Sequence, residues 1–340
     1  MPLIDNTPKR ETSLSRHCKV PAFSIGRCFT FFILSFILLC FSSALYSSPV
    51  ESSDLKQSIL IVYQSKNKIS EQLIQQLKNN TELINYNIQH TALNTTSDDA
   101  ITLSKQQLII AIGSKTTKSL LDANISAPVL SILMPGHLAK SFQKHYKEKN
   151  NWSSLVIDQP LERSFRLITA IMGKNKKTGV LLGSYTSYLE KPLKRAARNT
   201  RQSIMIEHIS NPDEISRSLN TLNNSSNILL TLPDPVIYNK NTIRGILLST
   251  YRKKLPIIGF SRAYVKAGAI AAVYSKPEQI SKQTASIADT FLRTGSFKQN
   301  SYQPADFSIA INKKLAKSLG IKIKSEADII NQIIKAERKQ

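Results

Sequence analysis

Hydroxyl and amide side chains recur just after the apolar runs of this 340-residue sequence, and one aspartate joins them. Such groups donate and accept hydrogen bonds, and a carboxylate can balance a ligand ammonium, so they suit the recognition of a small polar molecule. Ser and Thr at these places also cap helices, so each residue alone has that ordinary explanation. The candidate ligand-binding residues are Gln64, Ser65, Ser114, Thr116, Thr117, Ser184, Tyr185, Thr186, Asp234, Ser261 and Tyr264.

The elements that must position these residues are short apolar runs that alternate with helical patterns. The runs are SILIVY (58–63), LIIAIG (108–113), PVLSIL (128–133), SLVI (154–157), TGVLLG (178–183), SIMIEHI (203–209), NILLTL (227–232), LPIIGF (255–260) and AIAAVY (269–274). Strands that are apolar on both faces and separated by helices are typical of a parallel sheet covered on both sides. The pattern predicts an α/β fold with two similar, doubly wound parallel-sheet lobes, and ligands bind such sheets at the carboxyl ends of the strands.

The same pattern suggests where the lobes begin and end. We expect lobe 1 to comprise residues 55–158 plus 270–295, and lobe 2 to comprise 159–268 plus 296–325. Residues 326–340 are predicted to form a C-terminal helix. Asp158, Gln159 and Pro160 lie where the chain first crosses between lobes, so they are the candidate hinge.

Helix signals punctuate the last third of the chain. Ser275 and Glu278 have the spacing of a capping box, and Gly295 is a typical helix stop. Ser325 and Asp328 predict the start of the last helix. That helix carries an apolar stripe, which suits core packing or, alternatively, a partner surface. The stripe is Ile329, Ile330, Ile333 and Ile334.

The first 44 residues are laid out as a secretory signal. Basic residues precede an apolar run at 28–41, and small residues follow at 42–44, so cleavage is predicted after Ala44. An uncleaved anchor is the main alternative, and a buried helix or a lipid-modified Cys40 is a weaker one. We therefore predict a periplasmic protein that is either released or tethered to the inner membrane by residues 28–45. The three cysteines, Cys18, Cys28 and Cys40, all lie in this leader, so no disulfide is expected in the remainder.

The formal charge of the chain is +23, with 46 Lys and Arg against 23 Asp and Glu. Such a balance attracts phosphates or an anionic membrane face. The basic residues are scattered and are not interleaved with aromatics, as they are in single-strand binders. We expect a basic, solvated surface, no nucleic-acid partner, and a monomer.

Signatures of enzymes and metal sites are missing from the sequence. It contains neither a Walker loop nor GxGxxG, and no two histidines have metal-binding spacing. The segment 259–263 (GFSRA) approximates a nucleophile elbow, but no histidine follows it to act as base. The prediction is no enzyme activity, no catalytic residue, no metal and no cofactor.

Three segments of the second half resemble one known family. They are TLPDPV (231–236), LPIIGFSRAYVKAGAIAAVYSKPEQISKQTA (255–285) and FSIAINKKLAKSLG (307–320), with a shorter match at 108–120. The middle segment holds a V-K-x-G-A motif at 265–269, and the last holds N-K-x-x-A-x-x-L-G at 312–320. The sequence is similar here to ABC transporter substrate-binding proteins of the tryptophan-transport type. The resemblance implies the type I periplasmic binding fold, export, and an ABC permease or other inner-membrane partner.

Together these observations predict an exported solute-binding protein. It would capture a small polar organic ligand, amino-acid-like or anionic, between its lobes and present it to an ABC permease. The alternative is a ligand-binding sensory or accessory module for a membrane receptor or kinase, without transport.

Overall fold

The computed structural model describes residues 57–65, 67–93, 103–149 and 151–338. The strands are β1 (Ser58–Tyr63), β2 (Asn87–Ala92), β3 (Leu108–Ile112), β4 (Val129–Met134), β5 (Trp152–Val156), β6 (Lys177–Leu182), β7 (Ser203–His208), β8 (Ile228–Leu230), β9 (Ile257–Gly259), β10 (Ala271–Tyr274), β11 (Ser301–Tyr302) and β12 (Ser308–Ile311). The predicted leader and the three cysteines lie outside the described residues.

Helices connect these strands. They are α1 (Lys68–Lys78), α2 (Ser114–Asp122), α3 (Gly136–His145), α4 (Leu161–Met172), α5 (Glu190–Asn199), α6 (Ile215–Ser225), α7 (Ile243–Arg252), α8 (Arg262–Ala267), α9 (Pro277–Thr294), α10 (Lys313–Ser318) and α11 (Glu326–Glu337). Three short 3₁₀ turns add Thr81–Leu83, Ser187–Leu189 and Pro212–Glu214. No helix among the described residues is long and apolar enough to cross a bilayer.

The strands form two sheets of six. The first has the order β11-β5-β4-β3-β1-β2 and is parallel throughout. The second has the order β12-β10-β9-β8-β6-β7, with only β12 antiparallel to its neighbour. The inner strands are apolar on both faces because helices cover each side. This confirms the α/β fold with two similar doubly wound lobes.

Each lobe has its own apolar core. In lobe 1, α1 and α9 pack on one side of the sheet, with Leu73 and Ile287 against Ile59 and Ile110. In lobe 2, α4 and α11 cover one side of the second sheet. Ile329 and Ile333 of the C-terminal stripe are 0% and 1% exposed and belong to that core, so core packing explains the stripe.

Two of the predicted lobe boundaries are wrong. Residues 270–295 were expected in lobe 1, but β10 at their start pairs with β9 and β12 of the second sheet. Residues 296–325 were expected in lobe 2, yet Ser301 and Tyr302 pair with β5 of the first sheet. The third crossing between lobes therefore lies after residue 302. A strand of two residues carries no readable periodicity, which explains the second of these errors.

One predicted helix cap also differs. Lys276, not Ser275, is the N-cap of α9, and the Gln279 side chain accepts the Lys276 N–H at 2.8 Å. The Ser275 hydroxyl instead donates to the Asp306 carbonyl at 2.7 Å. The stop at Gly295, with φ 73°, and the Ser325 cap of α11 are confirmed.

Candidate functional site

A cleft of about 1170 Å³ lies between the two lobes, at the carboxyl ends of strands from both sheets. Its walls combine apolar side chains with a few charged and hydroxyl groups. The apolar part includes Ile69, Leu133, Ile157, Leu232 and Phe260, and the polar part includes Asp158, Gln159, Glu162, Arg195 and Ser261. Mostly apolar clefts with a few polar groups are typical of small-molecule sites.

The candidate residues of lobe 1 lie after β1 and β3 and bond mainly to their own lobe. The Gln64 backbone N–H donates to the Thr116 hydroxyl at 3.1 Å, which joins the two strand ends. Thr116 and Thr117 are 1% and 0% exposed, and their hydroxyls donate to the carbonyls of Ile112 and Gly113. Ser65 is exposed and Ser114 is half-buried at the start of α2. None of these five candidates is among the residues that line the cleft.

In lobe 2, Asp234 organises two loops. It is 1% exposed, and one carboxylate oxygen accepts the Thr186 hydroxyl at 2.8 Å while the other accepts the Val236 N–H at 3.0 Å. The Thr186 hydroxyl also accepts the Gly183 N–H. Asp234 thus joins the loop after β6 to the loop after β8. Both oxygens of this carboxylate accept hydrogen bonds from lobe 2 itself, whereas the sequence had suggested a ligand ammonium as the partner.

The remaining lobe 2 candidates have different surroundings. Ser261 lines the cleft and caps α8. Tyr264 is half-buried against Phe260 and Tyr238, and its burial raises its pKa to about 12. Ser184 and Tyr185 are exposed beside the cleft. Of the eleven candidates, Ser261 alone is a lining residue of the cleft in the described structure.

Two side chains that the sequence did not nominate connect the lobes. The His137 ring, at the start of α3 in lobe 1, packs edge-on against Tyr185 of lobe 2 with 5.1 Å between centroids. One turn later, the Lys140 ammonium lies 4.3 Å from the centroid of the Tyr188 ring. His137 follows β4, so the rule applied to the other strand ends would have found it.

Asp158, a candidate hinge residue, also lines the cleft. Its carboxylate accepts the Gly136 N–H at 2.5 Å, at the positive end of α3. Burial raises the pKa of Asp158, and the Gly136 N–H and the nearby His137 partly oppose that rise. The first crossover is therefore bonded to the helix that contacts the opposite lobe.

Three segments cross between the lobes, at 157–160, 275–276 and 303–307, and hydrogen bonds join these crossovers to one another. The Gln159 amide donates to the Ser275 hydroxyl at 2.8 Å, and Ser275 donates to the Asp306 carbonyl. Behind them, Arg163 is 6% exposed and reaches Gln159, the carbonyls of Pro304 and Ala305, and the carboxylate of Glu337. The crossovers form one bonded unit, which suits a hinge that bends as a whole.

The close approach of Gly183 to Asp234 gives a testable prediction. A Cβ at Gly183 would lie 2.6–2.7 Å from the Asp234 carboxylate, so Gly183→Ala should displace it and cost about 1–3 kcal/mol of the free energy of unfolding. Gly245→Ala is the matched control, because a Cβ there meets open space on α7 and should stabilise by up to about 1 kcal/mol. Urea unfolding measures both variants. A Gly183→Ala chain with an unchanged free energy of unfolding would contradict the tight packing of Gly183 against Asp234.

His137 predicts a pH dependence of stability. Burial lowers its pKa, and the carboxylates of Asp158 and Asp234 partly oppose this. The pKa of His137 in the folded chain therefore lies below its unfolded value of about 6.5. Below pH ~6.5 the unfolded chain binds more protons at this residue than the folded chain, so the free energy of unfolding decreases as the pH falls from there toward the folded pKa. His137→Phe should reduce that loss, whereas His145→Phe, at an exposed position, should leave it unchanged. Urea unfolding above and below pH ~6.5 measures the difference, and identical profiles for both variants would contradict the prediction.

Comparison with known proteins identifies one matching family and several solved structures of similar fold. The family model of the ABC transporter substrate binding protein matches residues 99–331. A ligand-free, open substrate binding protein with adhesive properties from Clostridium difficile is 17% identical, with a TM-score of 0.60 over 79% of this chain and 96% of that one. The ABC domain from Streptococcus pneumoniae in complex with L-Trp is 16% identical, with a TM-score of 0.53 over 82% and 98%.

A conserved domain protein from Vibrio cholerae is 18% identical, also with a TM-score of 0.53, over 82% of this chain and 98% of its own. No curated protein sequence matches the chain. At these identities the structural likeness concerns the fold, which agrees with the two-lobed periplasmic binding architecture expected from the sequence. The matched region covers more than half of the chain and includes lobe 2 and the part of lobe 1 that begins with β3. The chain therefore belongs to the family of ABC transporter substrate binding proteins.

Proposed function

We propose that this protein captures a small polar organic solute, amino-acid-like or anionic, in the cleft between its lobes and presents it to an ABC permease. The cleft at the carboxyl ends of both sheets carries the proposal, because ligands of open α/β sheets bind there. Membership of a substrate-binding family supports a solute-binding role. The protein carries the solute without transforming it.

The lining of the cleft suggests the chemistry of the ligand. Arg195 offers a cation for a ligand carboxylate, Glu162 offers a carboxylate for a ligand ammonium, and Ser261 and Gln159 offer neutral hydrogen-bond partners. Ile157 is 42% exposed and Phe260 is half-buried, so both have apolar surface to place against a ligand. An amino-acid-like molecule, with a carboxylate and an ammonium at one end and an apolar body, fits this lining best. The L-Trp bound by the Streptococcus pneumoniae protein has this character, which makes it a reasonable first probe.

Closure would follow from contacts to both walls. A ligand that touches both lobes stabilises the closed form more than the open form, and it shifts the population by that difference. The His137–Tyr185 and Lys140–Tyr188 contacts already join the two lobes, so they would stabilise a closed form that keeps them. A permease could then recognise the closed form on the periplasmic side of the membrane.

Thermal unfolding in the presence of candidate solutes tests the function. L-tryptophan, other amino acids, nucleosides and small anions would be screened individually. A true ligand at ~100 times its dissociation constant should stabilise the protein by about 2.7 kcal/mol. Uptake of the identified solute should then require both this chain and a permease. Binding without any effect on uptake would instead favour the sensory alternative.

A further inference from the structure

Helix α7 of lobe 2 has an outward face that its own fold leaves uncovered. Leu248 and Tyr251 are 46% and 53% exposed, and a spacing of three places them side by side on one face. Ile246 and Thr250 lie on the opposite side and are 2% and 1% exposed. The buried side therefore holds α7 on the lobe without help from the outer face.

Basic residues surround these two side chains. Arg244 and Arg252 share their face at helical spacing, and Lys253 and Lys254 follow at the end of α7. Residues 235–277 contain eight Lys or Arg and no Asp or Glu. Within the described part of the chain, none of the four basic residues beside Leu248 and Tyr251 forms a salt bridge. We name this surface, comprising Arg244, Leu248, Tyr251, Arg252, Lys253 and Lys254, the α7 face.

The neighbours of the α7 face do not neutralise it. Helix α6 packs against α7, with the Asn223 amide donating to the Ser249 hydroxyl, and α6 contains no acidic residue. The nearest acidic residues before α6 in the sequence are Asp213 and Glu214. They lie at the N-terminal end of α6, whereas Asn223, which contacts α7, lies near its C-terminal end. The end of α7 lies where β9 begins, away from the carboxyl ends that form the cleft.

We propose that the α7 face binds an anionic phospholipid surface. Exposed apolar and tyrosine side chains ringed by Lys and Arg suit the boundary between headgroups and acyl chains. One face of a ten-residue helix is smaller than the roughly 800 Å² per partner of a standard protein interface, whereas a bilayer demands no complementary shape. Binding through α7 leaves the cleft at the other end of the strands free to load. This inference does not depend on the identity of the solute.

A tryptophan reporter tests the proposal in the full chain. The Tyr251→Trp chain would be mixed with vesicles of phosphatidylglycerol and phosphatidylcholine, with and without brominated acyl chains, and with phosphatidylcholine alone. The chain's own Trp152 is 5% exposed and contributes a constant background. Ile84→Trp is the matched control, because Ile84 is 70% exposed on lobe 1. Each reporter is a single substitution in the full chain, so the leader is present in both variants.

The expected result is a blue shift and bromolipid quenching of the Tyr251→Trp indole on anionic vesicles only, with the Ile84→Trp indole unchanged. Adding Arg252→Glu and Lys253→Glu should weaken this response at least about thirty-fold in lipid concentration, equivalent to roughly 2 kcal/mol. Lys313→Glu with Lys314→Glu makes the same charge change on α10 and should leave the response largely intact.

Three results would overturn the proposal. The first is bromolipid quenching that is absent from both reporters or equal in both. The second is an equal loss of vesicle response in the two charge-reversed variants. The third is a blue shift of the Tyr251→Trp indole that appears without vesicles and depends on protein concentration. The last result would mean that a second copy of the chain covers the α7 face.

Discussion

Replacing Arg163 by Met is expected to lower the free energy of unfolding by about 2–4 kcal/mol, because two backbone carbonyls lose a hydrogen-bond donor and the Glu337 carboxylate, whose side chain is 29% exposed, loses its ion-pair partner. The guanidinium also donates to Gln159 and to the carbonyls of Pro304 and Ala305. One side chain thus holds the first crossover, the third crossover and the last helix together. Urea unfolding of the purified chain measures the loss.

Two variants separate this effect from a general loss of charge. Arg198→Met removes an exposed arginine of α5 and should change stability by less than about 0.5 kcal/mol. Glu337→Gln removes the negative charge but keeps an acceptor oxygen for the guanidinium, and Arg163 retains its bonds to Gln159 and the two carbonyls, so this variant should cost less than Arg163→Met. If Arg163→Met were no more harmful than Arg198→Met, the network at the crossovers would not hold the protein together.

Replacing Ile157 by Trp should abolish stabilisation by the ligand. Ile157 lines the cleft and is 42% exposed, so a larger side chain can occupy the cleft without disturbing a core. With the solute at ~100 times the wild-type dissociation constant, the wild-type chain gains about 2.7 kcal/mol in free energy of unfolding, and this gain should fall close to zero in the Ile157→Trp chain. Thermal unfolding with and without the solute measures the change.

The control for this variant is Ile84→Trp. Ile84 is exposed on lobe 1 and is not a lining residue of the cleft. Its substitution should leave both stability and ligand response intact. Full ligand response in the Ile157→Trp chain would mean that the solute binds elsewhere.

Apolar runs predicted most of the sheet structure, for a simple physical reason. Buried parallel strands are apolar on both faces, so runs such as 108–113 stand out. Strand β2 was not predicted, because it lies at a sheet edge and most of its residues, such as His90, are exposed, so it has no apolar run. Strand β11 escaped because it has two residues.

The site was predicted less well than the fold. Thr116 and Asp234 follow strands as ligand residues do, but their side chains are bonded within a lobe. Local sequence cannot distinguish these two roles, because both place polar groups at strand ends. Arg163 was missed for a related reason. An arginine in a helical pattern normally faces water, and only the folding of residues far along the chain over it makes it buried.

Small-angle X-ray scattering on the wild-type chain, free and saturated with the solute found by thermal unfolding, tests the central claim most directly. If the lobes close on the solute, the radius of gyration should fall on saturation, and the same addition should leave the Ile157→Trp chain unchanged. A radius of gyration that stays constant while the wild-type chain is fully bound would contradict closure about the crossovers.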